Sequence, residues 1–186
     1  MYYADEDWLA AQKQLHEQGV NGPYIVIQPT SRWTFKCWED EKVAALIDRL
    51  NQPGLQIVLT AAPDRKEMAM IAHILSLCQN PQVATIAGQL SLTQLAALID
   101  HARLFIGVDS APMHMAAALQ TPCVALFGPT KLQQWRPWGT NNRVIWAGDY
   151  GSLPTPDSID TKTEQRYLSA IPVDDVVAAA RSYLDA

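Results

Sequence analysis

Cysteine is scarce in this sequence, and the few cysteines form no metal or disulfide pattern. Only Cys37, Cys78 and Cys123 occur among the 186 residues, an odd number at wide spacing and without a CxxC pair. Disulfide frameworks and zinc sites both need closely patterned cysteines, usually in even numbers. The cysteine content therefore points to neither, and we expect a protein of the reducing cytoplasm.

Long apolar stretches and blocks of basic residues are missing too. No run of about 18 apolar residues occurs, and the N-terminal MYYADEDWLAAQ is acidic where an export signal would be basic. We therefore expect a chain that neither spans a membrane nor is exported. The formal net charge of −5 argues against a nucleic acid held by bulk charge.

The usual cofactor motifs are also absent. No glycine-rich dinucleotide fingerprint follows the first apolar run at residues 24–27 and no P-loop is present, so NAD and FAD are poorly supported. The four histidines are scattered along the chain: His16, His73, His101 and His114. We predict no cofactor and no metal.

The sequence does contain a regular alternation of apolar strands with helices. Strands are predicted at residues 24–27, 56–60, 83–86, 103–107, 122–127 and 144–146, and helices at 4–18, 38–50, 63–78, 91–101, 109–119 and 173–184. Such alternation implies right-handed crossovers and a sheet covered on both faces. We predict an α/β fold, a Rossmann-like three-layer α/β/α domain with a mostly parallel sheet of about six strands.

These elements divide the chain into three parts. Residues 1–22 form an N-terminal linker helix, residues 23–172 the Rossmann-like domain, and residues 173–186 a C-terminal helix. Within the domain, residues 147–172 are rich in Gly, Ser, Pro, Thr and Asp, which is typical of a long loop. We expect this loop to belong to a mobile rim.

The segment DSAPMH follows the predicted strand at 103–107. Asp109 and Ser110 lie at the strand-to-helix turn, and Pro112 lies in the first helical turn, where its missing N–H is harmless. Free N–H groups and the helix dipole make such a turn a site for anions, and His114 projects from the same face as Ser110. The alternative is that Asp109 or Ser110 only caps the helix and that His114 is a core histidine.

A second polar loop, PTSRWTFKCW at residues 29–38, is predicted at the same edge of the sheet. Thr30 and Ser31 offer hydroxyl and backbone N–H groups, and Arg32 and Lys36 offer cations suited to a diphosphate. The alternative is that the hydroxyls cap local structure and the cations are solvated.

A third loop at this edge is FGPTKLQQWRPWG. Gly128 and Thr130 would allow a close backbone approach to a ligand. We interpret Trp135 and Trp138, which flank Arg136, as core or interface packing.

Two other polar groups have simpler alternatives. Asp64 and Glu67 in APDRKE can take part in the site or only cap and charge their helix. Ser110 and His114 are a weak case for a hydrolase, because the serine lacks the small neighbours of a GxSxG elbow and an i/i+4 pair does not form the usual triad.

Together these motifs resemble the ADP-heptose:lipopolysaccharide heptosyltransferases, glycosyltransferase family 9. The block GVDSAPMHMAAALQTPCVALFGPT at residues 107–130 is similar to the family signature of Asp, Ser or Thr, Gly or Ala, two variable residues, His, a small-residue helix and FGPT. The loop PTSRWTFKCW is similar to the family's Thr-Thr-Arg-x-x-Lys-x-Trp, and APDRKE also fits by position. The resemblance covers nearly the whole chain from about Tyr24. It implies the C-terminal, donor-binding half of a GT-B enzyme, a class with two Rossmann-like halves.

The resemblance assigns roles to residues on the first side of the expected cleft. Thr30, Ser31 and Lys36 would hold the ADP diphosphate. Glu67, or Asp64, would lie near the ribose or adenine.

On the other side, Asp109 would contact the heptose hydroxyls. Ser110, Ala111 and His114 would complete the sugar–phosphate site. Residues 127–130, among them Gly128 and Thr130, would line the same cleft.

Two positions depart from the family pattern. Lys36 lies one residue further from the hydroxyl pair than the pattern expects, so Arg32 is an alternative for its contact. Position 111 is Ala where many members have Gly, which would be unfavourable if the turn needed a positive φ.

The implied activity is inverting transfer of heptose from ADP-heptose to the lipopolysaccharide inner core, in the cytoplasm at the inner membrane, with only peripheral membrane contact. In this family the general base is an Asp near the start of the N-terminal half, so we expect ADP binding without turnover. The helix at 173–186 would pack on or toward that missing half. The alternative function is a stand-alone nucleotide or phosphoryl-ligand binding module without catalysis.

Overall fold

The apolar runs of the sequence form one parallel sheet. A computed structural model describes residues 1–139 and 141–186. Its strands are β1 Tyr24–Gln28, β2 Gln56–Leu59, β3 Val83–Thr85, β4 Leu104–Val108, β5 Cys123–Phe127 and β6 Asn142–Trp146, in the order β3-β2-β1-β4-β5-β6. Every pairing between these strands is parallel. The predicted fold class is confirmed.

The helices lie close to the predicted spans. They are α1 Asp5–Glu17, α2 Asp40–Arg49, α3 Arg65–Leu77, α4 Leu92–Asp100, α5 Ala111–Ala118, α6 Leu132–Trp135 and α7 Val173–Leu184. The largest differences are at helix starts. Helix α3 begins two residues later than its predicted opening at Pro63, because Asp64 Oδ2 accepts from the N–H groups of Lys66 and Glu67 and so caps the helix.

The strands are buried on both faces, as the apolar runs require. In β1, Ile25 and Ile27 pack into the core under α2 and α7, whereas Tyr24 and Val26 pack into the core under α1 and α4. Residues of a strand alternate between its two faces, so a strand buried on both faces reads as a continuous apolar run. The result is the predicted three-layer arrangement.

Both terminal helices pack on this domain by their apolar faces. Helix α1 buries Ala11 and Leu15, and Trp8 stacks on His101 with the ring centroids 3.7 Å apart. Helix α7 buries Val176 among others against the sheet. The predicted contact of α7 with a further domain would therefore use the face of α7 that is not packed against the sheet.

The long connection at 147–172 is confirmed as mostly irregular, with two short 3₁₀ turns. Its second half packs on the domain, since Leu168 and Ile171 are fully buried. Arg166 Nη1 donates to Asp40 Oδ1 at 2.6 Å and to the Trp38 carbonyl at 2.8 Å. The connection is thus fixed against the start of α2, beside the loop that follows β1.

Candidate ligand-binding cleft

A cleft opens at the carboxyl ends of β1 and β4. The chain leaves these neighbouring strands for helices on opposite faces of the sheet, α2 after β1 and α5 after β4, which is the switch point where open α/β sheets bind ligands. The cleft has a volume of about 320 Å³. It is lined by Gln28, Thr30, Ser31, Arg32, Trp33, Lys36, Ala62, Glu67, Asp109, Ser110, Ala111 and Pro112.

Most of the predicted site residues meet in this cleft. Those that line it are Thr30, Ser31, Lys36, Glu67, Asp109, Ser110 and Ala111. They come from three loops that are far apart in the sequence, and they surround one concave space. His114, Gly128 and Thr130 do not line it.

An ion pair crosses the middle of the cleft. Lys36 Nζ lies 2.8 Å from Asp109 Oδ2, with the lysine side chain 15% and the aspartate side chain 5% exposed. The contact is an ion pair, and Asp109 Oδ2 has no hydrogen-bond donor in the described residues. Lys36 Nζ also lies over the Trp33 ring, 5.0 Å from its centroid. Both charges are therefore held at the surface of the cleft without full satisfaction of the carboxylate.

Thr30 lines the cleft and carries a buried hydroxyl without a partner in the described residues. The residue as a whole is fully buried. Buried polar atoms are nearly always paired, and an unpaired one costs about 1–3 kcal/mol. A hydroxyl kept in this state at a cleft wall is expected where a ligand completes the pairing.

Helix α5 begins at the cleft without a side-chain cap. Ser110 has an extended backbone, and its Oγ donates to the Val108 carbonyl at 3.3 Å instead of accepting from the helix. The interpretation of Ser110 or Asp109 as a simple cap is therefore wrong. Uncapped N–H groups in the first turn, of which Ala111 carries one, attract anions.

Alanine at position 111 fits this turn without strain. Ala111 is the first residue of α5, and among the described residues other than glycine only Gln120 has a positive φ. The departure from the family's glycine is therefore compatible with the backbone seen here.

Lys36 ends a single 3₁₀ turn at Thr34–Lys36. In this turn the Lys36 N–H donates to the Trp33 carbonyl at 3.1 Å. The turn brings the Lys36 ammonium to Asp109, whereas Arg32 lines the cleft without an ion pair in the described residues.

The two acidic residues at the start of α3, Asp64 and Glu67, have different roles. Asp64 caps the helix, so the simpler alternative is correct for this residue. Glu67 is only 7% exposed and lines the cleft beside Ala62. A buried carboxylate at this position is placed to accept hydrogen bonds from a polar ligand.

Three predicted residues lie outside this cleft. The His114 ring meets Trp135 edge-on, with the centroids 6.4 Å apart. A Cβ at Gly128 would lie 2.6 Å from Leu168 Cδ1. The space beside this glycine is therefore filled by a core leucine. Thr130 Oγ1 is buried without a partner in the described residues.

The tryptophans of the third loop are exposed and do not belong to the core. The exposed fraction is 87% for Trp138 and 46% for Trp135. Of the two predicted uses, core packing is wrong, because their loop runs over the surface from β5 to β6, and interface packing stays a prediction.

The sequence analysis gave no ligand role to four residues that line the cleft: Gln28, Trp33, Ala62 and Pro112. Gln28 Oε1 accepts from Thr60 Oγ1 at 2.8 Å, which joins the ends of β1 and β2. A polar residue that ends an apolar strand run was the available signal for Gln28. Nothing in the sequence pointed to Trp33, because its contact with the Lys36 ammonium exists only once the turn at Thr34–Lys36 has formed.

Neither a metal cluster nor a membrane-crossing helix is found in residues 1–139 and 141–186. No group of three His, Cys, Asp or Glu side chains is positioned to hold a metal ion there. None of the helices combines the length and apolar character that a bilayer crossing requires.

An open parallel sheet with a polar, partly cationic cleft at its switch point defines a Rossmann-like ligand-binding domain. The model of the family described as "Glycosyltransferase family 9 (heptosyltransferase)" matches residues 1–166. The chain belongs to this family.

Curated relatives extend the similarity over the whole chain. An Escherichia coli protein described as "Lipopolysaccharide heptosyltransferase 3" is 47% identical over 184 residues, which are 99% of this chain and 54% of the relative. Within the family, the motifs at 29–38 and 107–130 favour heptosyltransferase III of the inner core, and this similarity confirms that resemblance. The chain spans about half the length of the curated relatives it matches.

Solved structures share the fold. A glycosyl transferase family 9 structure from Veillonella parvula has a TM-score of 0.85 at 23% identity and covers 100% of this chain and 54% of that one. The E. coli heptosyltransferase WaaC with ADP has a TM-score of 0.71 at 22% identity, covering 93% and 48%. The fold of this chain therefore corresponds to one half of these glycosyltransferases.

Proposed function

We propose that this chain is the donor-binding half of an inverting heptosyltransferase that adds heptose from ADP-heptose to the inner core of lipopolysaccharide. The observation that carries the proposal is the meeting of the Lys36–Asp109 pair, the unpaired Thr30 hydroxyl and the uncapped start of α5 in one cleft. Relatives described as lipopolysaccharide heptosyltransferases, and the ADP in the WaaC structure, support the same ligand.

The diphosphate side of the cleft is assigned to Thr30, Ser31 and Lys36 together with the first turn of α5. Hydroxyls, backbone N–H groups and an ammonium are suited to a diphosphate, whose charge grows as the glycosidic bond breaks. These groups can stabilise the leaving ADP, so the proposal needs no metal. Glu67 is assigned to the ribose or adenine.

The sugar side is assigned to Asp109, whose carboxylate can accept from heptose hydroxyls. Ser110 and Ala111 adjoin it, and His114 follows one turn further along α5. Gly128 and Thr130 do not line the cleft, and the proposal assigns them no ligand contact.

The relatives are about twice as long as this chain. We assign the remaining chemistry to the half of those relatives that this chain does not cover. A general base there would deprotonate the acceptor hydroxyl and give inversion at the anomeric carbon. We assign the complete protein to the cytoplasmic face of the inner membrane with peripheral contact. This half alone would bind the donor without turnover.

Calorimetric titration of this chain tests the proposal. We expect ADP and ADP-heptose to bind, UDP and NAD to bind more weakly, and Lys36→Ala to weaken ADP about 10-fold or more. Asp109→Ala should remove the advantage of ADP-heptose over ADP. Lys13→Ala removes an equal charge on the exposed face of α1 and should change nothing.

Other results would select other functions. A preference for UDP would point to another group of glycosyltransferases, and binding without regard to the sugar would favour a stand-alone nucleotide or phosphoryl-ligand binding module. Ester cleavage that depends on Ser110 would favour a hydrolase.

A further inference from the structure

Trp33 contributes an aromatic face to the cleft and has no role in the assignments above. Its ring is 38% exposed and lines the cleft. The Lys36 ammonium lies over this ring, 5.0 Å from the centroid. Tryptophan is the best partner for a cation in this geometry. The arrangement therefore joins Trp33 to the cation assigned to the diphosphate.

The position of Trp33 is fixed from several directions. Its N–H donates to Ser31 Oγ at 3.3 Å, and its carbonyl accepts from the Lys36 N–H at 3.1 Å. Its ring stacks on Phe35, with the centroids 5.8 Å apart and the planes 14° apart, and Phe35 is buried. These contacts order the ring beside the Lys36 side chain, whose ammonium is also held by Asp109.

Lys36 has two partners among the described residues of the cleft, the Asp109 carboxylate and the Trp33 ring. An anionic ligand competes with the carboxylate but not with the uncharged ring. Asp109 Oδ2, 2.8 Å from the ammonium, competes directly with a phosphate oxygen for the same charge. The Trp33 ring is uncharged and lies 5.0 Å from the ammonium. A lysine side chain that leaves Asp109 gains rotational freedom, and ordering it again costs conformational entropy, which contact with the ring reduces in advance.

We propose that Trp33 is a positioning residue for Lys36. Its ring holds the ammonium over the cleft while the ammonium exchanges the Asp109 carboxylate for the diphosphate of the ligand. Asp109 is thereby released toward the sugar. The identity of the ligand in this inference rests on the proposed function, but the contact between Trp33 and Lys36 does not.

Calorimetry with three probes tests the inference. Trp33→Leu should weaken ADP and inorganic pyrophosphate about 3- to 10-fold, and Trp33→Phe should restore most of the loss because phenylalanine retains an aromatic face. Adenosine, which lacks phosphate, should be unaffected. In the Lys36→Ala background, Trp33→Leu should have no further effect on ADP or pyrophosphate.

A platform for the adenine base is the competing role. If Trp33→Leu weakens adenosine as much as ADP, or still weakens ADP in the Lys36→Ala background, the positioning role is overturned. Pyrophosphate binding that is the same in wild type and Trp33→Leu overturns it as well.

A double-mutant cycle without ligand separates this inference from the proposed function. Urea unfolding of wild type, Trp33→Leu, Lys36→Ala and the double variant should show a coupling of about 2- to 5-fold in the unfolding equilibrium constant. If the wild type does not bind ADP but the coupling is present, the proposed function is wrong and the positioning contact stands. No coupling in the cycle overturns the contact itself.

Discussion

At the scale of residues, the site is organised by competition for one cation. Asp109 pairs with Lys36, and under the proposed function a diphosphate competes with this carboxylate for the same ammonium. Asp109 also repels phosphate directly, since both are anions. The two members of the ion pair should therefore have opposite effects on nucleotide binding.

We predict that Asp109→Asn tightens ADP binding about 3- to 10-fold, because it frees Lys36 and removes a like charge. Asparagine has nearly the shape of aspartate, so the cleft should be preserved. Calorimetry with ADP measures the effect. Weaker ADP binding in this variant would show that Asp109 supports the diphosphate and does not compete with it.

The Thr30 hydroxyl should matter for binding but not for folding. Thr30→Val keeps the shape of the side chain and removes a buried hydroxyl that has no partner in the described residues. We predict an unfolding free energy that is unchanged or higher by up to about 1 kcal/mol, with ADP binding weakened several-fold. Thermal unfolding and calorimetry on the same sample measure both. A clear loss of stability would show that the protein itself uses the hydroxyl.

At the scale of elements, the start of α5 provides the backbone part of the site. Ala111→Pro deletes the N–H of the first helical residue, a position that proline tolerates, and Ser110 already has the extended backbone that a following proline requires. We predict weaker ADP binding with little change in melting temperature.

Helix α4 supplies the matched control. Leu92→Pro deletes the equivalent N–H of a helix that Ser91 caps, far from the proposed ligand, and Leu92 is exposed. This variant should bind ADP like wild type. Equal binding by Ala111→Pro and Leu92→Pro would remove the α5 amide from the account.

The connection after β6 is fixed by a partly buried ion pair that reaches α2. Asp40 is 7% exposed and accepts from Arg166 at 2.6 Å, while its other oxygen lies 2.7 Å from His73 Nδ1. Arg166→Met should lower the unfolding free energy by about 2 kcal/mol, because it leaves part of a buried carboxylate and the Trp38 carbonyl unpaired.

An exposed pair of equal length is the control for this prediction. Arg49 lies 2.6 Å from Asp174, but both side chains are largely exposed. Arg49→Met should change the unfolding free energy by less than about 0.5 kcal/mol. Urea denaturation measures the unfolding free energy of both variants. Similar losses of unfolding free energy in Arg166→Met and Arg49→Met would contradict the role of burial.

The elements differ in how well the sequence predicts them. The strands are predictable because a parallel strand buried on both faces needs an unbroken apolar run, as β1 and β4 show. Helix α6 has only four residues, too few for a periodic pattern. The anchoring of the long connection depends on Arg166 meeting Asp40 across 126 positions, which no local pattern contains.

The site was predictable to the extent that its chemistry lies in strand-end loops. Thr30, Lys36 and Asp109 carry polar chemistry at positions that the sheet brings to one edge. The ion pair between Lys36 and Asp109 and the ring of Trp33 beneath the ammonium depend on side-chain packing in three dimensions. The exposed position of Trp138 was not predictable either, since aromatic character alone does not distinguish core from surface.

At the scale of the whole molecule, the chain is a Rossmann-like domain with its cleft open at one edge of the sheet. It carries a net charge of −5, and at the cleft the cations Arg32 and Lys36 stand against the carboxylates Glu67 and Asp109. An anionic ligand would therefore depend on contacts with particular groups and not on the net charge of the cleft. The relatives that it matches are about twice as long. Binding and catalysis are accordingly expected to divide between two halves.

A crystal structure of this chain with ADP is the decisive experiment. We expect a diphosphate at the carboxyl ends of β1 and β4, within hydrogen-bond distance of Lys36 Nζ, Thr30 Oγ1 and an N–H group in the first turn of α5, with the Lys36–Asp109 pair broken. Bound ADP with its phosphates elsewhere, or in this cleft with the Lys36–Asp109 pair still intact, would contradict this expectation.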